Sequence, residues 1–150
     1  MITSYEINVR APQEVVFSTA ADVGAMPQFT RDVVAMTFIT PAPLQLGSQV
    51  RDTRRLLGVK RSQVITIPLF DFPARFVARF AILGVTFDSD HLFYGNEAGT
   101  RFLVTVQATQ ATGIGRLLFP FLPFVASLVR YGIRREIEDI KHEAELRATA

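Results

Sequence analysis

The feature that most restricts how this sequence can fold is one long amphipathic segment, Pro123 to Arg147. Apolar residues recur in it every three or four positions, which places them on one side of an α-helix. They are Val125, Val129, Ile133, Ile137, Ile140 and Ala144. On the other side, the spacing predicts the ion pairs Arg134–Glu138 and Lys141–Glu145. A helix of roughly 36 Å with one apolar stripe must bury that stripe, so the rest of the chain has to provide a sheet.

The chain before this helix has the alternation and the turn residues that are typical of strands. A strand at Ile2–Val9 stops at Ala11-Pro12, and two short helices follow at Gln13–Ala21 and Ala25–Phe29. Six further strands are predicted at positions 32–40, 48–57, 59–70, 74–83, 85–94 and 100–109. Their connections are too short for parallel crossovers, which favours consecutive antiparallel hairpins. The predicted fold class is α+β. A curved antiparallel sheet of about seven strands grips the long C-terminal helix, in a single domain over residues 1–150.

Alternation along the strands also predicts which side chains face the helix. Phenylalanines dominate this inner face, but three ionisable residues fall on it as well: Asp52, Arg54 and His91. Because burying an unpaired ion is costly, each must be paired, hydrogen-bonded or next to a water-filled cavity. Two interpretations stay open: Asp52 and Arg54 lie near an open end of the sheet or pair with each other, or all three residues are the polar groups of an apolar pocket. His91 is either a satisfied core histidine or a proton donor and acceptor in that pocket.

Several classes of site lack support in the sequence. The absence of cysteine excludes disulfides, thiol chemistry and cysteine-ligated metals. The two histidines, His91 and His142, fall in different elements, so neither a metal site nor a cofactor is predicted. A net charge of +2 is too small to indicate nucleic acid, and the basic cluster at positions 51–61 is interpreted as a solvated hairpin. Nothing in the sequence requires an enzyme, and His91 and Asp52 are weak catalytic candidates.

An apolar segment, Leu117–Val129, raises the question of a membrane. It is shorter than the roughly 18–20 residues that a span needs, and Pro120 and Pro123 interrupt it. We interpret it as buried or pocket-facing, with peripheral contact to a bilayer as the alternative. No apolar core of signal-peptide length occurs in the first ten residues, so we expect a cytoplasmic protein.

Several short motifs, each weak alone, together resemble one superfamily. They are the runs Ala11-Pro12-Gln13-Glu14-Val15-Val16-Phe17 and Asp22-Val23, Met26-Pro27-Gln28-Phe29, Phe70-Asp71-Phe72-Pro73-Ala74-Arg75-Phe76, Gly99-Thr100-Arg101, and Ile137-Glu138-Asp139-Ile140-Lys141. With the order of elements, they resemble the START/polyketide-cyclase-like (SRPBCC) superfamily over essentially the whole chain. The resemblance implies a helix-grip fold with a deep cavity for an apolar ligand and no shared catalytic residue. Pro120 and Pro123 depart from the usually continuous start of the last helix, and we expect them to widen the cavity mouth.

The inner-face residues and the resemblance together define a predicted ligand-binding site. Its residues are Val50, Asp52, Arg54, Leu56, Phe76, Phe80, Phe87, His91, Phe93, Phe102, Val104, Val125, Val129 and Ile133. The leading hypothesis is binding or transport of a hydrophobic small molecule or lipid. One alternative is a cyclase or dehydratase acting on an aromatic, polyketide-like substrate, with His91 or Asp52 moving a proton. The second is a membrane-surface or quinone-binding accessory protein that uses Leu117–Val129 beside Arg116 and Arg130.

Overall fold

The structure, a computed structural model, describes residues 2–150. Its strands are β1 (Ile2–Val9), β2 (Val33–Phe38), β3 (Gln49–Leu56), β4 (Val59–Asp71), β5 (Arg75–Ile82), β6 (Val85–Asn96) and β7 (Gly99–Ala111). Its α-helices are α1 (Gln13–Ala21), α2 (Met26–Phe29), α3 (Ile114–Leu118) and α4 (Leu122–Ala148). Short 3₁₀ turns occupy Val23–Ala25 and Phe119–Phe121. The predicted fold class and order of elements are confirmed.

All seven strands form one antiparallel sheet in the order β1-β7-β6-β5-β4-β3-β2. Strands β2 to β7 neighbour each other in chain order, as the short connections predicted, and β1 adds to the free side of β7. Three of the connections are two-residue turns, among them Leu57-Gly58 between β3 and β4 and Leu83-Gly84 between β5 and β6. All four residues of these two turns have positive φ, the type I′ arrangement that matches the twist of paired strands.

Helix α4 lies across the inner face of the sheet and buries its predicted apolar stripe unevenly. Ile137, Ile140 and Ala144 are fully buried, whereas the stripe residues earlier in the helix are only partly covered. The C-terminal half is also held by ion pairs to the segments around α1 and α2. These pairs are Arg31–Asp139, Arg135–Asp32 and Arg147–Asp22. The N-terminal half of α4 is therefore the part that is free to wall a cavity.

Of the two ion pairs predicted within α4, one is present. Arg134 Nε lies 4.0 Å from Glu138 Oε1. The prediction for Lys141 and Glu145 is wrong, because Glu145 accepts a hydrogen bond from the backbone N–H of Arg10 at 2.9 Å and lies 3.6 Å from the guanidinium of Arg10. Helical spacing identifies possible partners on the same helix only. The backbone N–H of Arg10, just after β1, is a partner from another part of the chain, and Glu145 binds it instead of Lys141.

An aromatic cluster fills the interior under α1. Phe17 of α1 is at its centre, with its ring centroid 5.0–5.4 Å from those of four other phenylalanines. They are Phe70, Phe72, Phe76 and Phe93. Phe93 in turn stacks on Phe102 at 4.7 Å. Because these rings fill the space between α1 and the sheet, the open space beneath α4 lies toward the N-terminal half of that helix.

The approach to α4 is a broken helix, which we call the entrance segment (residues 114–124). Pro120 lies at the start of the 3₁₀ turn, and Pro123 lies in the first turn of α4. A backbone N–H at these positions would have no partner within the helix, so its absence in proline is harmless. Both prolines therefore interrupt the helix as predicted without ending the helical run. Gly115 packs directly on the β5–β6 turn, since a Cβ on it would lie 2.5 Å from the carbonyl oxygen of Gly84. This backbone contact holds α3 against the sheet.

Candidate ligand-binding cavity

A cavity of about 180 Å³ lies between the inner face of the sheet and the N-terminal half of α4. Inward side chains of β3, β4, β5 and β6 form one wall, and residues between Leu128 and Glu136 of α4 form the other. Most of these side chains are aliphatic or aromatic. Phe76 belongs both to the wall and to the aromatic cluster, so that cluster closes the inner end of the cavity.

Nine of the fourteen predicted ligand-binding residues line this cavity. They are Val50, Asp52, Arg54, Leu56, Phe76, Phe80, His91, Val129 and Ile133. The inward faces predicted from alternation are confirmed, most clearly in β6, where every second residue from Val85 to Phe93 is buried.

The other five predicted residues lie outside the lining of this cavity. They are Phe87, Phe93, Phe102, Val104 and Val125. The first four are buried in the core, Phe93 against Phe17 of α1 and Phe87 against Phe80. Alternation identifies the face of a strand that points inward, but it does not reveal whether the space above that face is filled. Val125 precedes the cavity on α4 and packs against the core instead.

The polar end of the cavity is a three-residue cluster built from β3 and α4. Arg54 donates from Nε to Asp52 Oδ2 at 2.7 Å and from Nη2 to Glu136 Oε1 at 2.8 Å. Asp52 and Arg54 reach the same side because they are two residues apart on one strand. Both interpretations left open by the sequence therefore hold: the two residues pair with each other, and both are polar groups of an otherwise apolar pocket.

Sequence reasoning missed Glu136. It lies three residues after Ile133 and seven after Val129, so it interrupts the apolar stripe of α4 with a carboxylate. That irregularity is the signal that could have identified it. Gln63 and Ser89, which also line the cavity, were missed as well. Gln63 stands directly across the β3–β4 ladder from Asp52, a position that only the strand register reveals.

Asp52 carries the least satisfied polar group in the cavity wall. Its side chain is 0% exposed, and Oδ1 has no hydrogen-bond partner among the described residues. Burial raises the pKa of Asp52 above its ordinary value of 3.8, and the Arg54 guanidinium offsets only part of that effect. Buried side-chain oxygens without a partner are uncommon in folded proteins. This one belongs to a residue on the cavity wall.

Arg54 remains charged inside the cluster. Burial by itself would lower the pKa of Arg54, but the carboxylates of Glu136 and Asp52 outweigh burial and raise it. One cation therefore stands between two carboxyl groups, and two of its N–H donors are already used. The cluster consequently offers a ligand an excess of acceptor oxygens.

His91 adds a further acceptor on β6. Its ring stacks on Phe76 with centroids 4.3 Å apart, and Nδ1 lies 3.1 Å from the carbonyl oxygen of Ser89. Because a carbonyl only accepts, Nδ1 must carry the hydrogen. Burial lowers the pKa of His91, which keeps the ring neutral near pH 7. A neutral ring protonated on Nδ1 has its lone pair on Nε2, the atom that can accept a hydrogen bond or a proton.

The groups available at this site are suited to hydrogen bonding and proton transfer. Among residues 2–150, no three His, Cys, Asp or Glu side chains come together in a way that could hold a metal ion. In the cavity, the titratable groups are Asp52, Arg54, His91 and Glu136, and the remaining wall is predominantly apolar.

Comparison with known proteins relates the fold to solved structures. No family model matches the sequence, and no curated protein matches it significantly. Among solved structures, a protein from Thermus thermophilus is similar with a TM-score of 0.78 and 18% identity, covering 100% of both chains. The Zhui aromatase/cyclase from a Streptomyces species is similar with a TM-score of 0.80 and 17% identity over 98% of this chain and 94% of that one. A START superfamily protein from Mycobacterium smegmatis has a TM-score of 0.74 and 14% identity over 97% of each chain.

At these identities the likeness establishes the fold alone. The seven-stranded antiparallel sheet, the long α4 and the two short helices after β1 all agree with the arrangement that the sequence motifs predicted. The chain therefore shares its fold with these solved structures, one of which is described as a START superfamily protein.

Proposed function

We propose that the protein binds a small, largely apolar molecule in this cavity, and that a hydroxyl or N–H group of the ligand donates a hydrogen bond to Asp52. The observation that supports this proposal is the buried Oδ1 of Asp52, which has no partner among the described residues. An unsatisfied buried acceptor is costly, and a ligand donor would remove that cost. The apolar wall supplies the rest of the affinity through the hydrophobic effect.

The size of the cavity favours a compact ligand. A cavity of roughly 150 Å³ lined by apolar side chains can hold benzene, so about 180 Å³ suits a molecule of one or two rings. A lipid chain would have to extend from the cavity past Leu56, Ile82 and Leu128, toward the entrance segment.

The polar end of the cavity further restricts which chemical groups a ligand can carry. Asp52 Oδ1 and His91 Nε2 are acceptors, and the only cation of the cluster, Arg54, is already bonded to two carboxylates. A carboxylate ligand would meet Asp52 and Glu136 at close range and be repelled. The expected ligands are therefore neutral donors such as phenols, enols or amides, and ionised fatty acids are disfavoured.

Titration with three matched ligands tests this proposal: naphthalene, 2-naphthol and 2-naphthoate. We expect naphthol to bind roughly tenfold tighter than naphthalene, because a hydrogen bond to a charged group contributes about 1.5 kcal/mol or more, and naphthoate to bind weakest. Asp52→Leu should remove the preference for naphthol, whereas Asp71→Leu, at the exposed end of β4, should not. If none of the three binds, the proposed function is refuted; if naphthoate binds tightest, the donor chemistry is refuted.

A second candidate function is a cyclase-type enzyme acting on a polyketide-like substrate. It is favoured by the lowered pKa of His91 and the raised pKa of Asp52 on the wall of one cavity, since shifted titratable groups concentrate at catalytic sites. The similarity to a protein described as an aromatase/cyclase supports the same candidate. In this scheme His91 Nε2 takes a proton from a carbon flanked by two carbonyls. The resulting carbanion forms a C–C bond with a third carbonyl of the same molecule, whose π electrons become an alkoxide. The imidazolium of His91 returns its proton to this alkoxide, and the hydroxyl then leaves as water together with a hydrogen from the adjacent carbon.

Replacement of His91 separates the two candidates. His91→Phe keeps the stack on Phe76 but removes the base. If the protein is such an enzyme, this variant should lose ring formation by at least roughly a hundredfold, the usual contribution of a general base, while naphthol binding persists through Asp52. Unchanged ring formation would reject a catalytic role for His91.

A further inference from the structure

One end of the molecule, beside the cavity, carries an exposed apolar surface that the proposed binding function does not use. Three pieces form it: the β3–β4 turn, the β5–β6 turn and the entrance segment. Seven of the fifteen exposed large hydrophobic side chains of the described residues belong to them. Among these are Leu57, Leu83, Leu117, Phe119, Phe121 and Phe124. An apolar surface of this kind on a soluble fold marks an interaction site.

Direct contacts show that the three pieces are neighbours. Gly115 of α3 packs on the backbone of Gly84 in the β5–β6 turn. On the other side, a Cβ on Gly132 of α4 would lie 3.7 Å from Leu56, the residue before the β3–β4 turn. Strands β4 and β5 are antiparallel partners, so their turns project from the same end of the sheet. We call this end the mouth surface.

The two turns hold leucine where folding does not favour it. Leu57 and Leu83 have φ values of 51° and 50°. This is the left-handed backbone region, which residues other than Gly, Asn and Asp rarely adopt. Type I′ turns normally use Asn, Asp or Gly at these positions. Both leucines are also more than half exposed, so neither backbone strain nor burial explains them.

The mouth surface is also basic and contains no acidic residue. Positions 53–70, 72–87 and 98–135 contain neither Asp nor Glu. Arg55, Lys60, Arg61, Arg116 and Arg130 are exposed there, and none forms an ion pair with the described residues. Arg55 and Lys60 even stand directly opposite each other on the β3–β4 ladder, where like charges repel. This arrangement is unfavourable in water and favourable next to an anionic surface.

We infer that the mouth surface docks on an anionic lipid bilayer. Exposed aromatic and aliphatic side chains surrounded by Arg and Lys are what an interfacial membrane contact requires, because the apolar groups enter the acyl boundary and the cations meet the headgroups. A second copy of this chain fits less well. Eleven of its fourteen acidic residues are already in ion pairs, so a copy presents little free negative charge.

The contact lies on the bilayer and does not cross it. By length and composition alone, the helical run Ile114–Ala148 could span a membrane, and its most apolar 18-residue window has a mean hydropathy of 1.3 with only 11% of it buried. The second half of that run, however, is fixed to the sheet by buried Ile137 and Ile140 and by the Arg135–Asp32 ion pair. Only the entrance segment and the two turns are free to enter lipid, which places the mouth of the cavity against the membrane.

Vesicle flotation tests the inference. We expect the protein to float with phosphatidylcholine vesicles that contain phosphatidylglycerol, to float less with phosphatidylcholine alone, and to be released by added salt. The double variant Leu117→Ser with Phe124→Ser should remain folded, since both side chains are largely exposed, and should no longer float. Arg116→Gln with Lys60→Gln should weaken binding roughly fivefold per charge removed.

Leu46→Ser is the matched control. Leu46 is 65% exposed, comparable to Phe124, but lies in the β2–β3 connection at the opposite end of β3, so this variant should float like the unmodified protein. The inference is overturned if the unmodified protein does not float, or if Leu46→Ser lowers flotation as much as the double variant. It is also overturned if light scattering finds a dimer that Leu117→Ser with Phe124→Ser dissociates, because a second copy would then cover this surface.

Discussion

The substitution Arg54→Met tests whether the polar end of the cavity is one hydrogen-bonded unit. Methionine keeps an unbranched side chain at this position but removes the guanidinium that holds Asp52 and Glu136. Asp52 is completely buried, and without Arg54 no cation is left beside its carboxyl group, which then has only the uncharged side chain of Gln63 to lower its pKa. The carboxyl group must then take up a proton, because a buried ion without a partner costs more than protonation.

The loss in free energy of unfolding that Arg54→Met causes depends on the pH. Protonating a carboxyl group costs about 1.4 kcal/mol for each unit of pH above its pKa, and the ordinary pKa of Asp52 is 3.8. The cost is about 4 kcal/mol at pH 7 and about 2 kcal/mol at pH 5. Since burial already raises the pKa of Asp52 in the unmodified protein, part of this cost is present before the substitution. We expect Arg54→Met to lower the free energy of unfolding by about 3 kcal/mol at pH 7 and about 1 kcal/mol at pH 5.

The direction in which the stability of the Arg54→Met variant changes with pH is the result that tests this reasoning. The folded variant keeps a proton on Asp52 that the unfolded chain releases above pH 3.8, so the stability of the variant falls as the pH rises. Urea unfolding followed by circular dichroism at both pH values measures this difference. In a protein that already carries Asp52→Asn, Arg54→Met should have the same effect on stability at both pH values, and the exposed control Arg130→Met should cost less than about 0.5 kcal/mol. Equal destabilisation at the two pH values would refute the reasoning.

Three further predictions concern the core, the histidine and the entrance segment. Phe17→Ala should lower the free energy of unfolding by about 3–5 kcal/mol, measured by urea unfolding, because the ring is fully buried at the centre of the aromatic cluster. Burial lowers the pKa of His91, so the unmodified protein should lose stability as the pH falls through the ordinary His pKa toward that lowered value, and His91→Phe should reduce this loss in the same assay. Gly115→Ala should push α3 away from Gly84, which hydrogen exchange would detect as faster exchange in residues 114–118.

The sequence predicted most of the fold because its signals are local. Turn residues such as Gly58 and Gly84 delimit strands whose observed ends differ from the predicted ones by at most two residues. Alternation placed Asp52 and Arg54 on the inner face correctly, since the period of a strand does not depend on its neighbours. The stripe of α4 was equally accessible, because helical spacing is fixed by backbone geometry.

The site was predicted less completely because its extent depends on contacts between distant segments. Phe93 and Phe102 alternate in the same way as Phe76 and Phe80, and only the packing of distant segments places the first pair in the core and the second on the cavity wall. Glu136 was missed for a similar reason. Its partner Arg54 is 82 residues away in the chain, and no local pattern joins a strand residue to a helix residue at that separation.

The position of β1 in the sheet has a consequence for how the chain folds. β1 is synthesised before every other strand, yet its only partner in the sheet is β7, with Ile2 opposite Gln107 and Val9 opposite Thr100. Pairing so distant in sequence is slow to form, because the entropy of closing the intervening loop is lost before the contacts are gained. Until β7 is made, β1 presents an unpaired edge on which other chains can add. Fragments that stop before Gly99 are therefore expected to aggregate, and the two ends of this fold can become stable only together.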